Sequence, residues 1–131
     1  MAQILLVEPD QLLAKTYAAG LTYAGHNVVA ARTAQSAVQA ADALQPDLVV
    51  LELQLVEHSG VEFLYEFRSY SEWQNVPVMI HSHVPPAEFN SHLQLLKDEL
   101  GVQVYLYKPA TSLQFLLETV TDQLALAGAP S

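Results

Sequence analysis

The residues of this chain best suited to chemistry come at the ends of short apolar runs. They are Glu8, Asp10, Glu52, Ser82 and Lys108. A lysine neutralises anionic oxygens, and a hydroxyl donates a hydrogen bond to them. Acidic groups, a hydroxyl and a lysine are together what a site needs to hold a phosphoryl group or a compact substitute for one.

Five apolar runs rich in Val, Ile and Leu alternate with amphipathic stretches. Runs of about 4–8 such residues are typical of strands buried on both faces. The five predicted strands are 3–7, 28–31, 48–53, 76–80 and 102–107.

Helical spacing of apolar residues predicts a helix after each strand. Asp10 and Thr33 are candidate N-caps for the first two helices, and Thr111 or Ser112 for the last. Tyr65 falls on the apolar stripe of the third helix. A stripe closed by Gly101 predicts a fourth helix over Glu88–Leu100.

Alternating strands and helices predict the fold. Consecutive parallel strands need crossovers, and helical crossovers cover both faces of a sheet. The pattern therefore indicates a doubly wound, flavodoxin-like α/β domain with a five-stranded parallel sheet in three α/β/α layers. We expect the domain to span 1–126, with 127–131 as a flexible tail. In such sheets the functional crevice lies beyond the carboxyl ends of the strands, where the chemical residues above stand.

Composition excludes several function classes. The 131 residues carry 5 basic and 14 acidic side chains, a net charge of −9, so binding to nucleic acid or an anionic membrane is not expected. The absence of cysteine removes disulfides, thiolate metal sites and cysteine nucleophiles. No apolar run is long enough to span a membrane, so a cytoplasmic protein is the default expectation.

Four motifs in order carry a specific resemblance. ILLVEPD, PDLVVLELQL followed by Ser59–Gly60–Val61, VPVMIHS and YLYKP resemble the successive motifs of the response-regulator receiver (CheY-like) domain, from about Gln3 to about Leu124. The resemblance implies a signalling module of a two-component phosphorelay. Its partners would be a histidine kinase or a downstream effector, and it would not itself be an enzyme.

The resemblance also implies residue roles. A phosphoacceptor aspartate ends the third strand and holds Mg²⁺ with two acidic residues after the first. Ser82 and Lys108 stand where the family binds phosphoryl oxygens, and Tyr105 where a switch aromatic reshapes the face of the fourth helix, fifth strand and fifth helix. That face is also the expected homodimer surface.

Two positions depart from the family pattern. Glu52 stands where the phosphoacceptor aspartate belongs, and Pro9 stands where the second acidic residue would be. The longer Glu52 side chain is expected to pair with Lys108, and in-line transfer tolerates little misplacement of the attacking oxygen. With Glu8 and Glu52 as the remaining metal ligands and Asp10 one residue displaced, Mg²⁺ binding is expected to be weakened and no cofactor is required. The sequence thus favours a degenerate pseudo-receiver acting through protein–protein contacts.

Alternatives stay open. The chain is alternatively a working phosphoacceptor using Glu52 or Asp10, or a small ligand-binding or enzymatic domain on the same scaffold, although it has no G-x-G-x-x-G, Walker or G-x-S-x-G motif. Glu52 either locks one conformation or fills an obsolete pocket. His81 and His83 are expected to be rim residues on one face of the fourth strand, rather than zinc or copper ligands, with Ser82 on the other.

Overall fold

Each of five strands is followed by a helix in the computed structural model, which describes residues 2–89 and 92–128. The strands are Gln3–Val7 (β1), Asn27–Ala31 (β2), Leu48–Leu51 (β3), Val78–Ser82 (β4) and Val102–Tyr107 (β5). The α-helices are Gln11–Tyr23 (α1), Ala34–Leu44 (α2), Gly60–Ser69 (α3), Leu93–Asp98 (α4) and Leu113–Leu126 (α5). None of the described helices is long and apolar enough to cross a membrane.

The five strands form one parallel sheet in the order β2-β1-β3-β4-β5. Alternate side chains of the central strands enter two separate apolar cores, one on each face of the sheet. Leu5 and Leu51 pack with α2 and α3, whereas Leu6 and Val50 pack with α1 and α5. The predicted doubly wound, three-layer fold is confirmed.

Helix N-caps fix where the crossovers begin. Asp10 accepts a hydrogen bond from Leu13 N at 3.0 Å, and Thr33 closes a reciprocal capping box with Ser36. Ser59 caps α3, and Ser112 rather than Thr111 caps α5. Each cap satisfies a backbone N–H that the first turn of the helix leaves unpaired. The caps therefore fix the residue at which each helix begins.

Three predicted strands have other bounds in the structure, and the smallest difference is at β2, which begins at Asn27 rather than at residue 28. β4 runs from Val78 to Ser82 rather than over 76–80, because Pro77 has no N–H to donate and contributes only its carbonyl, which accepts from Val49 N. β3 ends at Leu51 rather than Leu53, since Leu53 O leaves the ladder and accepts from Gly60 N. The corrected ends of β3 and β4 place Glu52 directly after one strand and Ser82 at the last position of the other.

The predicted helix over Glu88–Leu100 is also corrected. A 3₁₀ turn covers Pro86–Phe89 and α4 covers only Leu93–Asp98. Leu96 and Leu100 still reach the core, which explains why their spacing implied a longer helix. In the predicted tail, residues 129–131 lie outside the described residues.

Aromatic side chains near α3 pack mainly inward. Phe63 stacks on Phe67 and Phe67 on Trp73, with ring centroids 5.3 and 4.9 Å apart, and all three are buried. Tyr65, predicted on the buried stripe, is instead half exposed. The buried face of α3 is formed by Gly60, Phe63, Leu64 and Phe67.

Gly60 allows α3 to begin directly against the end of β3. A Cβ on Gly60 would lie 2.7 Å from the carbonyl oxygen of Glu52 and 2.9 Å from Leu53 Cα, both backbone atoms that cannot step aside. The loop that presents Glu52 therefore depends on a residue without a side chain at position 60.

We expect Gly60→Ala to destabilise the fold by about 1–3 kcal/mol in urea unfolding, because the extra methyl overpacks fixed backbone. Gly20→Ala is the matched control. There the new Cβ meets only the flexible Leu113 and Leu117 side chains, and alanine favours the helix, so no loss is expected. Equal stability of Gly60→Ala and wild type would contradict the close approach.

Candidate functional site

Four of the five residues singled out from the sequence meet at one edge of the sheet. Glu8 follows β1, Glu52 follows β3, Ser82 ends β4 and Lys108 follows β5. β1, β3, β4 and β5 are consecutive neighbours and parallel, so their carboxyl ends converge. Glu8, Glu52 and Ser82 are almost entirely buried.

Lys108 forms ion pairs with two buried carboxylates. Its Nζ lies 2.6 Å from Glu8 Oε1 and 2.8 Å from Glu52 Oε1, which confirms the predicted Glu52–Lys108 pair. Burial lowers the pKa of Lys108, but hydrogen bonds to Glu52 and Glu8 and their charges outweigh burial and raise it. The ammonium is therefore charged and neutralises one of the two carboxylates.

The carboxylate of Glu52 accepts hydrogen bonds on both oxygens. Oε1 accepts from Lys108 Nζ, from His83 N at 3.3 Å and from His83 Nδ1 at 2.8 Å. Oε2 accepts from the Ser82 hydroxyl and from Gln54 N at 3.2 Å. These five donors hold the side chain in a single position.

These donors set the ionisation of Glu52. Burial raises its pKa, but hydrogen bonds from Lys108 and Ser82, the Lys108 charge and the Gln54 N–H outweigh burial and lower the pKa to about 2. Glu52 is therefore an anion at neutral pH although only 1% of its surface is exposed.

Asp10 and Tyr105 lie beside this cluster rather than in it. The Asp10 carboxylate caps α1, and only its backbone N–H reaches the site, where it donates to Glu8 Oε2 at 3.1 Å. The Tyr105 hydroxyl donates to Val84 O at 2.6 Å, next to the Ser82 loop. Its predicted role as a switch remains a prediction.

His81 in β4 and His83 just after it do not share a face, so that prediction was wrong. His81 is buried on the α1 side and meets the Tyr17 ring edge-on with centroids 4.9 Å apart. β4 ends at Ser82, the alternation stops, and the following His83 turns over Glu52. Burial, together with the Lys108 charge, lowers the pKa of His81 to about 4.

Two members of the site were not predicted from the sequence: Gln54, and His83 as a partner of Glu52. The His83 ring bridges the Glu52 carboxylate and the Gln54 side-chain oxygen, one on each ring nitrogen. Gln54 stands two residues after Glu52, and that spacing was the available signal. The spacing did not indicate the turn after Ser82 that places His83 over Glu52.

The carboxylates of the site are directed at protein donors. Glu8 and Glu52 both share Lys108, Asp10 caps a helix, and Pro9 offers no side-chain oxygen. Within 2–89 and 92–128, no group of three or more His, Asp or Glu side chains is arranged to hold a metal ion. As placed, these residues do not fit a Mg²⁺ ion, which prefers octahedral oxygen ligands.

A doubly wound sheet with an acid–lysine–hydroxyl cluster at its carboxyl edge defines a class of small α/β signalling domains. The response regulator receiver domain family matches residues 4–120 of this chain. The chain therefore belongs to that family and is a receiver domain of the two-component type. Receiver domains are signalling proteins that interact with histidine kinases and effectors.

Individual relatives agree with this assignment. The chain is 30% identical over 109 residues to the KDP operon transcriptional regulatory protein KdpE of Escherichia coli, covering 83% of this chain and 45% of KdpE. It is 35% identical over 77 residues to the probable transcriptional regulatory protein TcrX of Mycobacterium tuberculosis, covering 59% of this chain and 32% of TcrX. The chain thus spans less than half the length of these relatives.

Solved structures show the same fold. A CheY-like response regulator receiver domain protein from Methanospirillum hungatei superposes with a TM-score of 0.84 at 21% identity, covering 98% of this chain and 97% of that one. Vibrio cholerae chemotaxis protein CheY4 gives a TM-score of 0.82 at 21% identity, covering 93% and 98%.

We expect Lys108→Met to destabilise the fold by about 3–5 kcal/mol at pH 7, because two buried carboxylates lose their cation. The free energy that Glu52 contributes is present above its unfolded pKa of 4.5 and is lost as the pH falls toward 2. The difference from wild type should therefore narrow below about pH 4.5. Urea unfolding at pH 7 and at a pH below 4.5 measures this difference in stability, with the exposed Lys15→Met as control. Equal free energies of unfolding for the variant and the wild type at every pH would contradict the prediction.

His81 generates a separate pH dependence. The pKa of His81 falls from 6.5 in the unfolded chain to about 4 in the folded protein. The stability that the neutral ring contributes is therefore fully present above pH 6.5 and is lost as the pH falls toward 4. His81→Phe keeps a ring beside Tyr17 and should flatten this decline by up to about 3 kcal/mol. The exposed His58→Phe is the control, and identical pH profiles for His81→Phe and wild type would refute the assignment.

Proposed function

We propose that this receiver domain is a pseudo-receiver: Glu52 stands at the phosphoacceptor position, and the domain signals through protein contacts without accepting a phosphoryl group. The closed network of donors around Glu52 carries this proposal. Its position immediately after β3, beside Ser82 and Lys108, supports the equivalence that the sequence motifs imply.

The occupied lone pairs argue against nucleophilic attack. An ionised carboxylate offers about four lone-pair sites, and Glu52 receives five donors. Phosphoryl transfer needs a carboxylate oxygen in line with the bond to the leaving group. Glu52 would have to break at least one of these hydrogen bonds before attacking.

The same donors satisfy the Glu52 carboxylate without a bound metal ion. Lys108 already compensates one of the two buried charges, and the His83 ring covers Glu52 from the open side. We therefore propose that the domain needs neither Mg²⁺ nor another cofactor for its function.

Glu52 also engages the groups that the family assigns to phosphoryl oxygens. The Ser82 hydroxyl and the Lys108 ammonium both donate to it, which supports a domain held in one docking conformation. A fixed conformation follows only if Glu52 binds one state better than the other, since equal interaction shifts no population.

The proposed docking surface is the face of α4, β5 and α5. A groove of about 440 Å³ there is bordered by Pro86, Leu96, Val104 and Tyr105, and Tyr105 links it to the site through Val84. Exposed acids on or beside the two helices, Asp98, Glu99, Glu118 and Asp122, outnumber Lys97. These charges favour a basic protein partner, a kinase or an effector, over a second copy.

Incubation with acetyl phosphate and Mg²⁺, followed by intact mass spectrometry, tests the proposal. We expect no phosphoryl adduct on the wild type. A gain of one phosphoryl group that disappears in Glu52→Gln would instead establish Glu52 as a working phosphoacceptor. A gain that survives Glu52→Gln but disappears in Asp10→Asn would assign the acceptor role to Asp10.

A further inference from the structure

The outer edge of β2 combines unpaired backbone groups with apolar side chains. β2 is the first strand of the sheet order and pairs only with β1. Val29 is 38% exposed, and Ala30 beside it is also exposed. Natural edges are protected by charged residues or proline, and β2, NVVAA, contains neither.

The hydrogen-bond pattern identifies the free backbone groups. Asn27 N donates to Ala2 O, and Ala31 O accepts from Glu8 N, so residues 27 and 31 bond toward β1. Because alternate residues of a strand bond to the same side, Val28 and Ala30 direct their N–H and C=O groups away from β1. The edge therefore offers two donors and two acceptors.

The distribution of charge indicates what can occupy this edge. Residues 16–41, which cover most of α1, all of β2 and most of α2, contain none of the 14 acidic residues and one formal cation, Arg32. Two copies of a chain with net charge −9 repel each other at most surfaces. They meet at least electrostatic cost here, where neither copy presents an acid.

We propose that this chain self-associates edge to edge through β2, with two copies antiparallel about a two-fold axis at Val29. Val28 of each copy then exchanges N–H···O=C bonds with Ala30 of the other, giving four hydrogen bonds. Val29 faces its symmetry mate between them as a non-hydrogen-bonded pair. The contact is isologous and continues the sheet from five strands to ten.

The proposed interface is small, so association is expected to be weak and concentration-dependent. Sedimentation velocity up to about 1 mM, the weak end of the affinity scale, should show a reversible dimer. Val29→Lys places two like charges opposite each other, and Ala30→Pro removes an outward N–H without touching the β1 ladder. Each should return the protein to a monomer.

Val56→Lys is the matched control, because Val56 is a half-exposed valine outside β2 that undergoes the same change of charge. It should leave the dimer intact. Amide hydrogen exchange gives a second readout: protection at Val28 and Ala30 should rise with protein concentration. If Ala30→Pro fails to fold by circular dichroism, Val29→Lys and the exchange data decide.

Three results would overturn the proposal. They are a wild type that stays monomeric across the whole concentration range, a dimer that survives Val29→Lys, and a dimer that Val56→Lys abolishes equally. None of them bears on phosphoryl transfer, so the proposal stands or falls separately from the proposed function.

Discussion

The ammonium of Lys108 is the contact on which the rest of the site depends. It lies 100 residues from Glu8 and 56 from Glu52, yet contacts both carboxylates, tying the ends of β1, β3 and β5 together. Two buried carboxylates without a cation would repel each other. With the cation, Glu52 stays ionised although buried, and its charge then organises Ser82, Gln54 and His83. The folded domain thus contains a cluster of charged groups whose burial costs desolvation free energy and whose geometry is closely defined.

That arrangement limits what the site can do chemically. A glutamate carries its carboxylate one methylene further than an aspartate, and this extra reach brings Glu52 to the hydroxyl and ammonium groups directly. Once its oxygens are saturated, reactivity and stability compete, because releasing the bond to Ser82 or Lys108 leaves a largely buried donor unsatisfied. Membership of the receiver family therefore establishes the scaffold and the signalling class.

The fold was largely predictable from sequence because its strands are buried on both faces and read as continuous apolar runs. The Glu52–Lys108 pair was predictable for a related reason: parallel strands bring their carboxyl ends to one edge. The errors have local causes. Pro77 moved the start of β4, and the Leu96–Leu100 spacing could not reveal that α4 is short. The His81–His83 error arose because alternation holds only while a strand continues, and the chain turns after Ser82. No pattern in the sequence reports that turn, so the His83–Glu52 contact required the three-dimensional structure.

The two proposed surfaces lie at opposite edges of one sheet, and this separation has a functional consequence. β2 begins the strand order, and β5, which borders the groove beside Tyr105, ends it. Pairing through β2 would cover neither the groove beside Tyr105 nor the Glu52 site. An edge-to-edge dimer would therefore present two identical docking faces at its far ends. Two faces on one rigid sheet convert a second weak contact with a multivalent partner into an intramolecular event. Weak self-association would then strengthen binding to such a partner without any change at Glu52.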